Sequence, residues 1–479
     1  MKLFNNIITC ICTFALALGI ASCGSDSDDS NSGSGSQTAA ITLTASTIKD
    51  GAEEIAYGSS EIVMTFSTNV TVSPSANVTL NGEKVTPKRG ATTKTLVISL
   101  SLEPATSYTL NVPAGSIVSS TDATKTTCTF TISFKTMAAP EIGNFDELCD
   151  ASATNEAKAL YDYLRSCYGR KTLSSVVADV NWNHREADKI FNATKKYPAF
   201  NCYDFIHIYV PTNNWINYSD ITPVTEWAEA GGLVQLMWHF NVPLSKDTKV
   251  ESNGSGVTCT PSETTFKASN ALIAGTWENE WFYSEMDKVA DVLLKLQSKK
   301  IAALWRPFHE GAGNATLKSG ASWGKAWFWW GYEGAETYKK LWVAMYEHFQ
   351  KKGIHNLIWV WTTQNYNGDK QQYNVDSDWY PGAQYVDIVG RDLYGYNASK
   401  NATEYGEISA RYLKKMVTLA ECGVESNNNI PFSKVTDFWK SGAKWLYFMP
   451  WYGSSMPDAA WWKDAMESDD VITRDEVKY

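Results

Sequence analysis

Two glutamates in this 479-residue chain stand where acid–base chemistry could be done. One closes the run Trp305-Arg-Pro-Phe-His-Glu310, and the other lies in Thr418-Leu-Ala-Glu421-Cys-Gly. Each ends a short apolar stretch that reads as a buried strand. A carboxylic acid facing a carboxylate is the pair a retaining glycosidase needs: one protonates the leaving oxygen and the other attacks the anomeric carbon. The chain carries 20 tryptophans, which suit a sugar cleft because pyranose C–H groups lie well against an indole face. For each Glu the bland alternative is a strand cap or a partner for an arginine.

The elements that would position this pair begin near residue 140, where strands start to alternate with helices. Eight candidate strands cover 172–178, 198–205, 232–240, 301–309, 356–363, 385–392, 416–421 and 444–450. Several are continuous apolar runs, such as Val234-Gln-Leu-Met-Trp238, Leu357-Ile-Trp-Val-Trp361 and Trp445-Leu-Tyr-Phe-Met449. Such runs suit parallel strands covered on both faces. Amphipathic stretches at 154–167, 184–196, 280–299 and 335–352 separate them. In 280–299, Met286, Val289, Val292, Leu293 and Leu296 share one helical stripe. This alternation predicts an α/β fold, a (β/α)8 TIM barrel over residues 140–479. Glu310 then ends the fourth strand and Glu421 the seventh, across the mouth from each other. A doubly wound sheet would bring a Gly-rich loop after its first strand. The chain instead has Val176-Val-Ala-Asp-Val-Asn-Trp-Asn183 there.

Residues 38–138 have another texture, rich in Thr, Val, Ser and Ile and lacking Trp and His. Alternation in Glu61–Phe66, Leu96–Leu100 and Cys128–Phe134, with Asn81-Gly82 as a type I′ hairpin signal, predicts a small all-β sandwich. It resembles bacterial immunoglobulin-like domains, which serve as spacers; the lack of an aromatic platform speaks against a carbohydrate-binding module. Met137-Ala-Ala-Pro140 reads as a linker.

Residues 1–22 read as a signal peptide: Lys2 precedes an apolar stretch, Ile7 to Ile20, too short for a comfortable membrane span. Ile20-Ala21-Ser22-Cys23 resembles a bacterial lipobox, with Cys23 as the lipid anchor and residues 23–37 as a flexible tether. An ordinary secretory leader cut elsewhere is the alternative. Asp26, Asp28 and Asp29 resemble surface-export signals, so the expected location is the outer membrane, facing outward. The net charge of −10 argues against a nucleic-acid partner. Cys128, Cys149, Cys167, Cys202, Cys259 and Cys422 are scattered without a C-x-x-C pair, so no zinc or redox motif is supported. Most are expected to be buried free thiols. Asn192, Asn314 and Asn401 open N-x-T triplets that a bacterial lipoprotein is not expected to glycosylate. Asp369, Asp376 and Asp378 read as a solvated acidic loop rather than a calcium site.

Arg306-Pro-Phe-His309-Glu310, followed by Trp327-Phe-Trp-Trp-Gly331, resembles the acid/base segment of glycoside hydrolase family 26, mainly endo-β-mannanases on a (β/α)8 barrel. Trp238-His239, Asp392-Leu-Tyr394, Glu421 and Trp451 match its pattern in order. The resemblance covers 140–479 and implies Glu310 as general acid/base, Glu421 as nucleophile and Tyr394 as its hydrogen-bonding partner. It places His309 at the sugar site; His239, at the end of the third strand, reads as a sugar-binding donor, Arg306 and Asp392 as further residues of that site, and Trp277, Trp327 and Trp451 as the stacking candidates. His309 could equally be a core residue on the far side of its strand; Arg306 reads as an electrostatic support, ion-paired with either Asp392 or a catalytic Glu, with a purely structural role as the alternative. Residues 311–326 intervene before Trp327, which leaves its placement relative to Glu310 open. The implied protein is a monomeric, cofactor-free and metal-free enzyme acting on β-mannan, glucomannan or galactomannan, touching the membrane only through its lipid. Another retaining β-glycanase, or a non-catalytic glycan-capture protein, is the competing reading.

Overall fold

A computed structural model describes residues 41–55, 58–136, 144–179, 182–210, 216–251, 253–313, 326–363 and 376–479. The signal peptide, Cys23, the tether, the Met137–Pro140 linker, Asn314 and Asp369 lie outside the described residues.

Residues 41–136 form a β-sandwich. One sheet orders Leu43–Ser46, Gly58–Phe66, Thr95–Leu102 and Lys88–Arg89; the other orders Ala52–Ile55, Phe130–Thr136, Ser107–Val112, Thr79–Leu80 and Glu83–Lys84. The period-two pattern buries Leu96, Ile98, Leu100 and Leu102 and turns their neighbours outward. Asn81 and Gly82 connect the pair Leu80↔Glu83 with φ of 49° and 90°. Two left-handed central residues are what a type I′ turn demands.

The second unit is a closed parallel barrel. Its strands are β1 (Thr172–Val177), β2 (Phe200–Asp204), β3 (Leu233–Trp238), β4 (Ala303–Pro307), β5 (Leu357–Thr363), β6 (Ile388–Tyr394), β7 (Met416–Gly423) and β8 (Tyr447–Pro450). Each pairs with the next, and β1 pairs with both β2 and β8, which closes the cylinder. All eight predicted strands are therefore present. The described residues of β1 through β4 and of β8 are buried throughout, which accounts for their unbroken apolar runs. The predicted helices also form, at Asn155–Cys167, Arg185–Thr194, Trp277–Ser298 and Ala335–Lys351. Thr154 caps the first, its hydroxyl accepting the Ala157 N–H at 3.2 Å. No described helix is long and apolar enough to cross a membrane.

Two departures from the expected strands matter for the site. The fourth strand stops at Pro307, not 309, because Phe308 and Glu310 adopt left-handed backbone, with φ of 45° and 50°. Glu310 thus stands on a turn beyond the strand. Between β6 and β7 the register slips: Arg391 pairs with Leu419 but Asp392 with Glu421. Ala420 is the extra residue of a bulge, and bulges re-aim the side chains beside them. Gly390 makes this possible, since a Cβ there would sit 2.7 Å from the Ala420 Cβ.

Gly390→Ala is expected to force these strands apart and to destabilise the barrel by about 1–3 kcal/mol. Denaturant unfolding of the variant beside the parent measures this; an unchanged midpoint would mean the strands tolerate the contact.

Candidate active site

The site grows from Arg306, which β4 points into the barrel and which is wholly buried. Its Nε donates to Thr362 Oγ1 at 2.7 Å, Nη1 to Glu421 Oε1 at 2.8 Å and Nη2 to Asp392 Oδ2 at 2.6 Å. Burial works against its charge, but Asp392 and Glu421 outweigh that and hold its proton more tightly than in water. Of the two carboxylate partners the sequence left open for Arg306, it has both.

Glu421 is fixed from a second direction. The Tyr394 hydroxyl donates to its Oε2 at 2.7 Å, so both carboxylate oxygens have a donor. Burial, and then the nearby charge of Glu421, push the Tyr394 phenol well above its usual range, which keeps that hydrogen in place. Asp392 is pushed upward by burial against the pull of Arg306, with Glu421 adding to the rise.

Glu310, Asp392 and Glu421 each place a carboxylate oxygen within 4.8 Å of the others. Three acids this close can in general gather a cation, but here the guanidinium of Arg306 already supplies the positive charge to two of them. The same closeness is in keeping with a retaining glycosidase, whose two carboxyls stand about 5–5.5 Å apart.

The turn carrying Glu310 is clamped from behind. The Tyr338 hydroxyl donates to the Phe308 carbonyl at 2.9 Å and the Trp330 indole to the His309 carbonyl at 3.0 Å. Gly331 lies so close to the Gly311 carbonyl that a Cβ would overlap it, at 1.8 Å. The left-handed residues also remove the strand alternation that would have sent His309 away from the site. His309 is buried, with its Nε2 3.1 Å from Nε2 of His239.

The intervening segment does not carry Trp327 away. Gly313 donates to the Glu310 carbonyl at 2.9 Å, and a Cβ on Gly313 would lie 2.9 Å from the Trp327 nitrogen. The chain therefore leaves and re-enters at one place, with Trp327 next to the Glu310 turn. Trp451 joins the group too, its ring centroid 5.7 Å from that of His239. Trp277 is placed differently. It opens its helix with its ring edge-on to Phe266 at 5.4 Å, and Phe266 lines a cavity of about 220 Å³ with Trp329 and Tyr332. The abundance of Trp signals an aromatic-rich cleft but does not say which indole reaches it.

Three residues at the site were not singled out from the sequence. Asp204, the last residue of β2, accepts from His239 Nδ1 at 2.5 Å. Thr362 near the end of β5 holds Arg306. Phe328 stacks on Trp330 at 4.3 Å and stands 5.2 Å from the His309 ring. The strand-end rule that selected Glu310 and Glu421 applies equally to Asp204 and would have found it. Elsewhere, Cys149, Cys167, Cys202, Cys259 and Cys422 are free thiols. Asn401 is buried, its side-chain carbonyl accepting from the Trp445 indole at 2.7 Å, a placement that no glycan could reach.

Comparison with known proteins bears on both units. A profile described as glycosyl hydrolase family 26 matches residues 149–476, and one described as a bacterial Ig-like domain matches 37–136. A mannan endo-1,4-β-mannosidase of Thermothelomyces thermophilus is 31% identical over 342 residues, 69% of this chain and 63% of that protein. A Piromyces mannan endo-1,4-β-mannosidase B is 30% identical over 64% of this chain, which spans 48% of its length. The chain thus spans less than two thirds of these relatives. Among solved structures, the family 26 domain of an endo-β-mannanase/endo-β-glucanase from Prevotella bryantii is 60% identical, with a TM-score of 0.68 over 70% of this chain and all of that one. A ruminal endo-β-1,4-mannanase is 26% identical, with a TM-score of 0.62 over 89% of both chains.

Tyr394→Phe removes one hydrogen bond to a charged partner. It is expected to lower kcat about 10- to 100-fold with little change in KM. Steady-state kinetics on a soluble glycan test this; a change confined to KM would assign Tyr394 to substrate holding instead.

Proposed function

Because the chain belongs to glycosyl hydrolase family 26, we propose that it is a retaining endo-β-1,4-mannanase acting on β-mannan, glucomannan or galactomannan. The observation that carries this reading is the carboxylate group at the barrel mouth, with oxygens of Glu310 and Glu421 within 4.8 Å. Glu310 is the general acid. Its carboxylate stands within 4.8 Å of those of Asp392 and Glu421, and like charges this close favour a proton on one of them, the proton the departing sugar oxygen takes. Glu421, held at both oxygens, attacks the anomeric carbon as the glycosidic bond breaks and forms a glycosyl ester. Glu310, now ionised, takes a proton from water, whose oxygen displaces Glu421 and regenerates the free enzyme. His239, His309, Arg306, Asp392 and Tyr394 shape the sugar site at the cleavage point, with Trp327 and Trp451 as apolar faces beside it. The enzyme acts as a monomer and draws on no cofactor. The mannan choice is supported by the relatives named as mannanases.

Glu310→Ala and Glu421→Ala are each expected to lower turnover at least about 100-fold while leaving glycan binding largely intact. Products from galactomannan are expected as short oligosaccharides, released with the β anomer first. Hydrolysis of mixed-linkage glucan or β-1,3-xylan without mannan would redirect the substrate to another β-glycan. An α anomer released first would refute double displacement.

The proposal extends to the leader, where Ile20-Ala21-Ser22-Cys23 supports a lipidated Cys23 and a place on the outer membrane facing outward, with the Ig-like domain as spacer. Cells fed a palmitate analogue are expected to label the protein, and Cys23→Ala to abolish the label. Equal labelling of both would dismiss the anchor.

A further inference from the structure

We propose that Asp204, which has no part in the exchange of the glycosidic bond, is a positioning residue that sets the tautomer and charge of the His239–His309 pair. The inference rests on the reading of these histidines as part of the sugar site. Asp204 ends β2 and is 4% exposed. Its peptide is fixed by two donors to the backbone carbonyl, the Trp182 indole at 2.7 Å and the Tyr218 hydroxyl at 3.1 Å. Its carboxylate then reaches across to the residue after β3. Oδ1 accepts the His239 backbone N–H at 3.0 Å, and Oδ2 meets the ring Nδ1 at 2.5 Å. An ionised carboxylate can only accept, so Nδ1 of His239 carries a hydrogen. This two-point grip fixes the ring plane as well as the tautomer.

The other ring nitrogen of His239 faces Nε2 of His309 at 3.1 Å, and only one hydrogen fits between them. Which ring owns it depends on charge. The groups facing His239 are Asp204 from β2, Arg306 from β4, His309 from the turn beyond it and Glu421 from β7, with the Phe328 and Trp451 rings each at 5.7 Å. Burial opposes a charge on His239, but Asp204 outweighs it and Glu421 adds to the pull, so the imidazolium is favoured. His309 is driven the other way, first by burial and then by the charges of His239 and Arg306, and stays neutral. The shared hydrogen therefore belongs to His239, and His309 accepts it at Nε2. A neutral His309 must then hold its own hydrogen on Nδ1, a buried atom with no partner among the described residues. Without the charge on Asp204, the pair gives up the Nδ1 proton of His309 to solvent as the shared hydrogen passes to His309 Nε2, which leaves both rings neutral and His239 protonated on Nδ1 alone. That would turn Nδ1 of His309 from donor to acceptor. Asp204 thus decides the hydrogen-bonding polarity of two rings, one of which it does not touch.

Imidazole NMR on histidine-labelled full-length protein tests this directly, since the chain has only six histidines and single variants can assign them. In the parent, His239 is expected to keep a hydrogen on Nδ1 and to titrate above the ordinary value of about 6.5, with His309 neutral and protonated on Nδ1. In Asp204→Asn the His239 titration is expected to fall by about one pH unit or more. kcat/KM on mannan should drop about 10- to 100-fold. The proposal is overturned if parental His239 carries its hydrogen on Nε2 alone, or titrates at or below the ordinary value. It is equally overturned if Asp204→Asn leaves the His239 titration or kcat/KM unchanged. The measurements on the parent need no variant to fold, and they stand even if mannan proves not to be the substrate, so failure of the mannanase reading is seen separately.

Discussion

The guanidinium of Arg306 is the constraint around which the barrel mouth is arranged. It extends from β4 and bonds to side chains of β5, β6 and β7, so one planar cation ties four consecutive strands. Its fork geometry suits this, because the nitrogens it uses are fixed relative to one another and each has its own partner. Removing one member of a wholly buried ion pair typically costs about 3–5 kcal/mol, since the remaining charge is left unsolvated. The fold therefore cannot easily discard this group. Its benefit to chemistry is orientation: Glu421 is held by Arg306 at one oxygen and Tyr394 at the other, and has little freedom to turn away.

A second constraint acts on the opposite carboxylate. Left-handed backbone at Phe308 and Glu310 is unfavourable for residues with a Cβ, and such conformations persist only where the surroundings over-determine them. Here the surroundings are Tyr338 and Trp330, which take up the two carbonyls of the turn, and the Gly311–Gly331 contact, which admits no side chain. The aromatic segment after Trp327 thus braces the backbone of the turn that carries Glu310. Trp329 and Trp330 are buried, and both spend their indole N–H groups on main-chain carbonyls.

The barrel was legible because its strands are covered on both faces, which turns burial into unbroken apolar runs that a sequence displays openly. The sandwich was legible for the opposite reason, a clean alternation with an Asn-Gly turn. What stayed hidden depends on contacts between distant segments. Nothing local in Arg-Pro-Phe-His-Glu announces two left-handed residues, so the apolar run predicts too long a fourth strand and leaves His309 between core and cleft. The bulge at Ala420 follows from Gly390 on the neighbouring strand, a pairing no single segment reveals. Trp277 shows the limit of composition: a count of indoles does not say which ring meets which partner, and this one stands edge-on to Phe266 at the start of its helix. Asp204 is legible as an acid at a strand end, but nothing near it in the chain announces the distant histidine it grips.

The adjacency of Gly313 and Trp327 has an evolutionary corollary. Two chain ends that meet side by side impose no distance on whatever joins them, and lengthening such a connection adds closure entropy only logarithmically. The length of the connection between them is thereby uncoupled from the turn that carries Glu310, and residues can be gained or lost there while that acid keeps its bearings.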